Sequence, residues 1–143
     1  MVDREVFDRR LAKLEDLLRR LRRLAAIPWE TYRSDSAVQA CAERWLHLAA
    51  ECALDLAHHV IADRGWKTPV TYREAFQVLA AEGVITAERA RQMEGWAGLR
   101  NVLVHLYLEV DHERLYEILS RDLDQLELYS ADLSRALEAG DED

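Results

Sequence analysis

The chain has 143 residues, 50% of them apolar and 32% charged, with 5 Gly and 2 Pro. That length suits one domain able to bury a core without disulfides or structural metal, and so few turn-forming residues argue against a sandwich or barrel and for helices. The formal charge of −8 at pH 7 favours solubility and, taken over the whole chain, speaks against a nucleic-acid partner.

Residues Met1 to Arg10 are charged and show no secretory signal. From Asp3 to about Ile27, the residues Phe7, Leu11, Leu14, Leu18, Leu21 and Ala25 follow at steps of four and three, widened by Val6, Leu17 and Leu24. This predicts a long amphipathic helix whose seam needs another helix, stopped by Pro28. Its outer face carries Arg19, Arg20, Arg22 and Arg23, which suits either a solvated face or a phosphate contact. A short polar stretch follows. Ser34-Asp35-Ser36 then offers an N-cap for a second helix to about Asp63, with Gly65 placed as a left-handed C-terminal residue.

This second helix is apolar almost all round and so is expected at the centre of the fold. Its one polar stripe is Arg44, His47, Glu51, Asp55 and His58. The stretch Trp45 to Ala62 carries too many ionisable groups for a membrane span. Cys41 and Cys52 stand eleven apart on the same helix, about 16 Å of rise, too far to bridge, and read as small buried residues of a reducing cytoplasm.

Thr71-Tyr72-Arg73-Glu74 is a capping box opening a helix to about Glu82 that closes at Gly83. Thr86 caps another helix, running through Trp96 and Arg100 to about Tyr107. Asp111 caps a last helix with Leu115, Ile118, Leu119, Leu123 and Leu126 on its apolar side. The expected architecture is an all-α bundle of four or five helices forming one domain over residues 1–139, with a frayed acidic tail over 140–143.

No Gly-rich phosphate loop, H-E-x-x-H or Cys-rich zinc spacing occurs. The polar residues Arg100, Asn101, His105 and Tyr107 interrupt an otherwise apolar helix. An Arg to hold a phosphate and a His to move a proton are the minimum for metal-free phosphodiester cleavage. On an ideal helix Asn101 and His105 share a face, whereas Arg100 and His105 lie about 140° apart. A joint site then needs a bent helix, a reaching arginine or a second subunit. A purely structural account makes His105 a core histidine and Arg100 the partner of Glu51 or Asp55, since a buried carboxylate needs a cation. The His47, Glu51, Asp55 and His58 stripe has ligand spacing, but one helix offers an incomplete metal site.

Arg100-Asn101-x3-His105-x-Tyr107 resembles the R-x4-H-x-Y signature of the HEPN superfamily, specifically its HepT-like toxins. The order of Glu51-x3-Asp55-x2-His58-His59, Thr71 to Phe76, Gly83-Val84-Ile85 and Tyr107-x3-Asp111 resembles that family too, over roughly Leu14 to Leu128. The resemblance implies a homodimeric helical bundle in the cytoplasm. It implies a metal-independent endoribonuclease of a toxin–antitoxin system that needs no cofactor and acts on RNA at a dimer cleft. Arg100 and His105 would be catalytic, with Asn101, Glu51 and Asp55 in support. The partner would be a nucleotidyltransferase antitoxin that silences the toxin by AMPylation of Tyr107. The alternative is a non-catalytic nucleotide-binding or scaffold partner of that nucleotidyltransferase. Candidate dimer faces are the first helix's leucine seam and Gly95-x2-Gly98.

The negative charge is unevenly placed. Asp3 to Ile27 is net +3 and Glu109 to Asp143 is net −9. The acidity thus belongs mainly to the last helix and tail, and a local phosphate site around Arg100 remains compatible with it.

Overall fold

A computed structural model describes residues 4–104 and 110–141 of the chain. Among them are seven helices and no strand: α1 (Arg4–Ala25), α2 (Trp29–Tyr32), α3 (Ser36–Arg64), α4 (Tyr72–Ala81), α5 (Ala87–Val104), α6 (His112–Arg121) and α7 (Leu123–Asp141).

Helix α3 is the axis of the fold. Asp35 caps it by accepting from the N–H groups of Ala37 and Val38, and Gly65 ends it at φ 67°, a left-handed conformation open to glycine without strain. Its buried residues, from Ala42 to Ile61, are distributed around the helix and meet α1, α4 and α5. Helix α1 lies antiparallel to it: Arg10 pairs with Asp55 near one end, and Arg20 stands over the Trp45 ring nearer the other. Phe7, Leu14, Leu17, Leu18, Leu21 and Leu24 of α1 are buried in this packing. The leucine seam that made α1 a candidate dimer face is therefore spent inside the chain, against α3, α6 and α7.

Helix α7 runs parallel to α3, as the Tyr129 hydroxyl donates to Ala53 O at 2.8 Å and Arg64 at the end of α3 lies over Gly140. Helix α5 is antiparallel to α7, tied by Arg89 to Asp132 at 3.0 Å and by Trp96 Nε1 to Gln125 Oε1 at 3.1 Å. Helix α4 is antiparallel to α5, with Gln77 Nε2 on Glu94 Oε1 at 2.9 Å.

Thr71, Thr86 and Asp111 cap α4, α5 and α6 through the N–H groups of Glu74, Arg89 and Arg114. Glu74 reaches back to the N–H of Val70 at 2.9 Å, one residue further upstream than in a standard capping box.

Two features depart from the expected four or five helices. Trp29–Tyr32, expected as loop, is a single helical turn after Pro28; proline favours a helix start, but one turn leaves no periodic signal. The expected single last helix is divided at Asp122, whose N–H bonds Ile118 O at 2.9 Å and whose C=O accepts from Gln125 N–H at 3.1 Å. Aspartate is a weak interior helix former, while Leu119, Leu123 and Leu126 are buried on both sides of the junction, so the apolar period runs through the break and hides it. Helix α7 includes Gly140 and Asp141.

Candidate functional site

Arg100 and Asn101 lie in the C-terminal part of α5, the helix that packs between α3, α4 and α7. His105 and Tyr107 fall outside the described residues. The elements packed against α5 carry the other candidate residues.

On α3, Glu51 and Asp55 follow one another by a turn. Asp55 Oδ2 forms an ion pair with Arg10 Nε at 2.8 Å, so the carboxylate offered to Arg100 on sequence grounds has a cation from α1. Glu51 lies 3.4 Å from His47 Nε2, an ion-pair distance without hydrogen-bond alignment, and Arg44 approaches the other ring nitrogen at 3.5 Å. Within the stripe Arg44, His47 and Glu51 are neighbours, while Asp55 is paired outside it. Among the described residues no three His, Cys, Asp or Glu side chains converge as a metal-binding group. Cys41 and Cys52 are both free thiols, and burial, with Asp55 adding to it, pushes the Cys52 thiol up.

Three of the four arginines on the basic face of α1 lie against carboxylates, and the fourth, Arg23, is exposed. Arg19 and Arg20 both pair with Asp16, at 3.6 and 3.0 Å, and Arg22 bridges to Asp124 at 2.9 Å and to Glu127 on α7. Of the two readings of this cluster, the structure gives these three arginines to intramolecular pairs.

At the end of the bundle near α2, Tyr32 is fully buried. Its hydroxyl stands 3.4 Å from His112 Nδ1, and His112 Nε2 stands 3.7 Å from Glu43. Burial, with the Glu43 charge adding to it, pushes the Tyr32 phenol up to about 12. Tyr116 donates to Ile27 O at 2.7 Å. These contacts fix the start of α6.

Beside the motif part of α5 is a crevice of about 430 Å³ between α4, α5, α6 and the start of α7, a size that admits a small ligand. Gly98 and Leu99, the two residues before Arg100, form part of its wall, with Arg73 and Arg114 also lining it. The Arg73 guanidinium lies against Gly98, where a Cβ would come within 2.9 Å of Nη2. Burial pushes the Asp122 carboxyl of the crevice up, and Arg114 pulls it part of the way back. Sequence reasoning missed this crevice, because its polar residues come singly from four helices; Gly98, noted only as a dimer-face candidate, was the one available signal.

An all-α bundle of this topology, with R-x4-H-x-Y beginning on α5, is a HEPN-type fold. The family model described as Ribonuclease HepT-like matches residues 14–133, and the chain belongs to that HepT-like family. It is similar to the tRNA nuclease HepT of Aphanizomenon flos-aquae, at 31% identity over 124 residues covering 87% of this chain and 84% of that one. The mRNA nuclease HepT of Shewanella oneidensis is 24% identical over 98 residues, covering 68% of this chain and 74% of that protein. Among solved structures, the tri-AMPylated Shewanella oneidensis HEPN toxin in complex with its MNT antitoxin superimposes with a TM-score of 0.84 at 21% identity, covering 94% of this chain and 99% of that one. No described helix is long and apolar enough to cross a membrane.

Proposed function

We propose that this chain is the toxin of a toxin–antitoxin pair: a metal-independent endoribonuclease that cuts RNA with Arg100 and His105 at a cleft between two copies. The observation that carries this reading is the motif's position: Arg100-Asn101-x3-His105-x-Tyr107 lies inside the family match over residues 14–133. The names of the relatives support it, since both are nucleases acting on RNA.

In the proposed reaction His105 takes the proton of a ribose 2′-OH, which attacks the adjacent phosphorus, and the bond to the 5′-oxygen of the next nucleotide breaks. The products are a 2′,3′-cyclic phosphate and a 5′-hydroxyl, the leaving oxygen receiving a proton from the second copy's histidine or from water. The Arg100 guanidinium stabilises the charge that builds on the phosphoryl oxygens. Two copies resolve the angular mismatch of about 140° that an ideal helix would put between Arg100 and His105, because each arginine then meets the other copy's histidine. Asn101 and Glu51 support the site by hydrogen bonding, and Asp55 supports it through its pair with Arg10. A nucleotidyltransferase antitoxin silences the site by joining AMP to the Tyr107 hydroxyl, placing a phosphate and its bulk beside Arg100.

The test is RNA cleavage and growth arrest by the parent chain, Arg100→Ala and His105→Ala. Loss of a general acid–base group is expected to slow cleavage by about 10²–10⁴-fold, with helical content and oligomeric state preserved. Cleavage at the parent rate by both variants overturns the mechanism. Harmless expression of the parent and no cleavage favour the non-catalytic partner of the nucleotidyltransferase instead. Intact mass after incubation with the nucleotidyltransferase, ATP and Mg²⁺ tests the silencing: the parent gains AMP, and Tyr107→Phe does not.

A further inference from the structure

The crevice between α4, α5, α6 and α7 presents several hydrogen-bond donors beside its two carboxylates. Trp96 Nε1 and Arg89 Nη1 are donors only, so the amides they meet must present oxygen. Trp96 takes Gln125 Oε1 at 3.1 Å and Arg89 takes Gln92 Oε1 at 2.7 Å. The –NH2 groups of Gln92 and Gln125 are therefore left as donors at a crevice both residues line. Arg73 and Arg114 are exposed at the same crevice, and neither closes an ion pair with a described residue. Of the two carboxylates, Asp111 caps α6 at 3.1 Å, and Asp122, pushed up by burial, is pulled part of the way back by Arg114. Leu99 and Val110 supply apolar wall between these groups.

An Arg73 outside any ion pair, an Arg114 whose charge is shared in part with Asp122, two amide donors and an apolar wall complement a flat, acceptor-rich, anionic ligand. The crevice begins at Gly98 and Leu99, within one helical turn of Arg100. We propose that it is a substrate subsite: it holds the RNA nucleotide next to the cleaved phosphodiester, with phosphate on Arg73 and Arg114, base against Leu99 and Val110, and base acceptor atoms on the amides of Gln92 and Gln125. This rests on the ribonuclease reading and adds to it residues that set substrate affinity and sequence preference. Gly98 fits the same role, because the missing side chain lets the Arg73 guanidinium lie against α5.

The test separates binding from cleavage. Binding of a fluorescent single-stranded RNA is measured on His105→Ala alone and with Arg73→Ala or Arg114→Ala added, across a salt series. Each arginine removed is expected to weaken binding about tenfold and to lower the slope of log affinity against log salt by about one. Arg73→Lys restores the salt slope but only part of the affinity, because an ammonium lacks the planar fork. In cleavage assays with His105 intact, the arginine variants raise KM and leave kcat within about twofold, the signature of lost uniform binding. Gln125→Leu alters the preference among the four nucleotides at the flanking position.

If both arginine variants bind and cleave RNA as the parent does, the subsite is overturned. If either variant turns a dimer into a monomer by light scattering, the crevice is the seat of the second copy and the proposal is likewise overturned. If the parent fails to cleave yet binds RNA in an Arg73-dependent way, the ribonuclease reading falls, and with it the substrate role of the crevice, which is then an RNA-binding site only.

Discussion

The α1 side and the α4–α6 side of this protein both carry arginines, and they use them differently. On the α1 side Arg10, Arg19, Arg20 and Arg22 each lie within 4 Å of a carboxylate of the same chain. Beneath them, α1 buries six apolar residues against the bundle. On the other side Arg73 and Arg114 border a crevice without such partners, over amides whose oxygens are already taken. Raw density of positive charge would have chosen the first region as the RNA contact. Counting which donors are already satisfied chooses the second. A cation that is paired in the folded chain contributes to holding helices in register; one left unpaired beside a concave apolar wall contributes little to folding and is available to a ligand.

The sharpest division between the two regions should come from the core of the α1 side. Leu21 is fully buried, and Leu21→Ala should lower unfolding free energy by about 2–5 kcal/mol, measured by urea titration. The fraction that remains folded should cleave RNA at the parent rate per molecule. A Leu21→Ala chain of parental stability would mean that α1 does not pack as described. A stable but catalytically dead chain would mean that α1 shapes the site directly.

An intermediate effect is expected at high pH, from the contacts that fix the start of α6. The Tyr32 phenol is pushed up to about 12 in the folded chain, against about 10 when unfolded. The unfolded state therefore releases its proton first. The stability contribution is whole below pH 10 and is lost as pH rises from about 10 to about 12. Tyr129, fully buried and shifted in the same direction, adds to the loss in the alkaline range. Tyr32→Phe should flatten the decline of the thermal midpoint over this window while costing some stability at neutral pH. An unchanged alkaline slope would show that Tyr32 is not held in a dry pocket.

Much of the fold was legible in the sequence because its signals are local. The caps Asp35, Thr71, Thr86 and Asp111 and the left-handed Gly65 and Gly83 are in place, and each depends on residues within four positions of itself. Two things were not legible. Periodicity shows that a face is buried but not by which chain, so the leucine seam of α1 suited a dimer as well as a core. A crevice assembled from Arg73, Gln92, Arg114 and Gln125 carries no spacing that distinguishes it from an ordinary polar surface. The R-x4-H-x-Y motif stood out for the opposite reason, since its residues stand close together in the chain, from Arg100 to Tyr107. The Arg10–Asp55 pair was hidden because its members are 45 positions apart.

The smallest effect tests the comparison most directly, because the two regions should differ in direction as well as size. Arg22 reaches from α1 to Asp124 and Glu127 on α7, with 43% of its side chain exposed, and these carboxylates hold its guanidinium above the usual arginine range. Exposed pairs of this kind contribute at most about 1 kcal/mol and are screened by salt. Arg22→Ala should therefore cost a few tenths of a kcal/mol at low ionic strength, shrinking toward zero as salt is added, with no change in RNA affinity beyond about twofold. Arg73→Ala, which breaks no ion pair, should leave stability within about 0.5 kcal/mol of the parent with little dependence on salt, while RNA affinity falls. Thermal melts of both variants across a salt series, beside the same RNA-binding titrations, measure all four quantities. If Arg22→Ala weakens RNA binding as much as Arg73→Ala does, the division between structural and ligand-facing arginines fails, and the α1 face joins the RNA path.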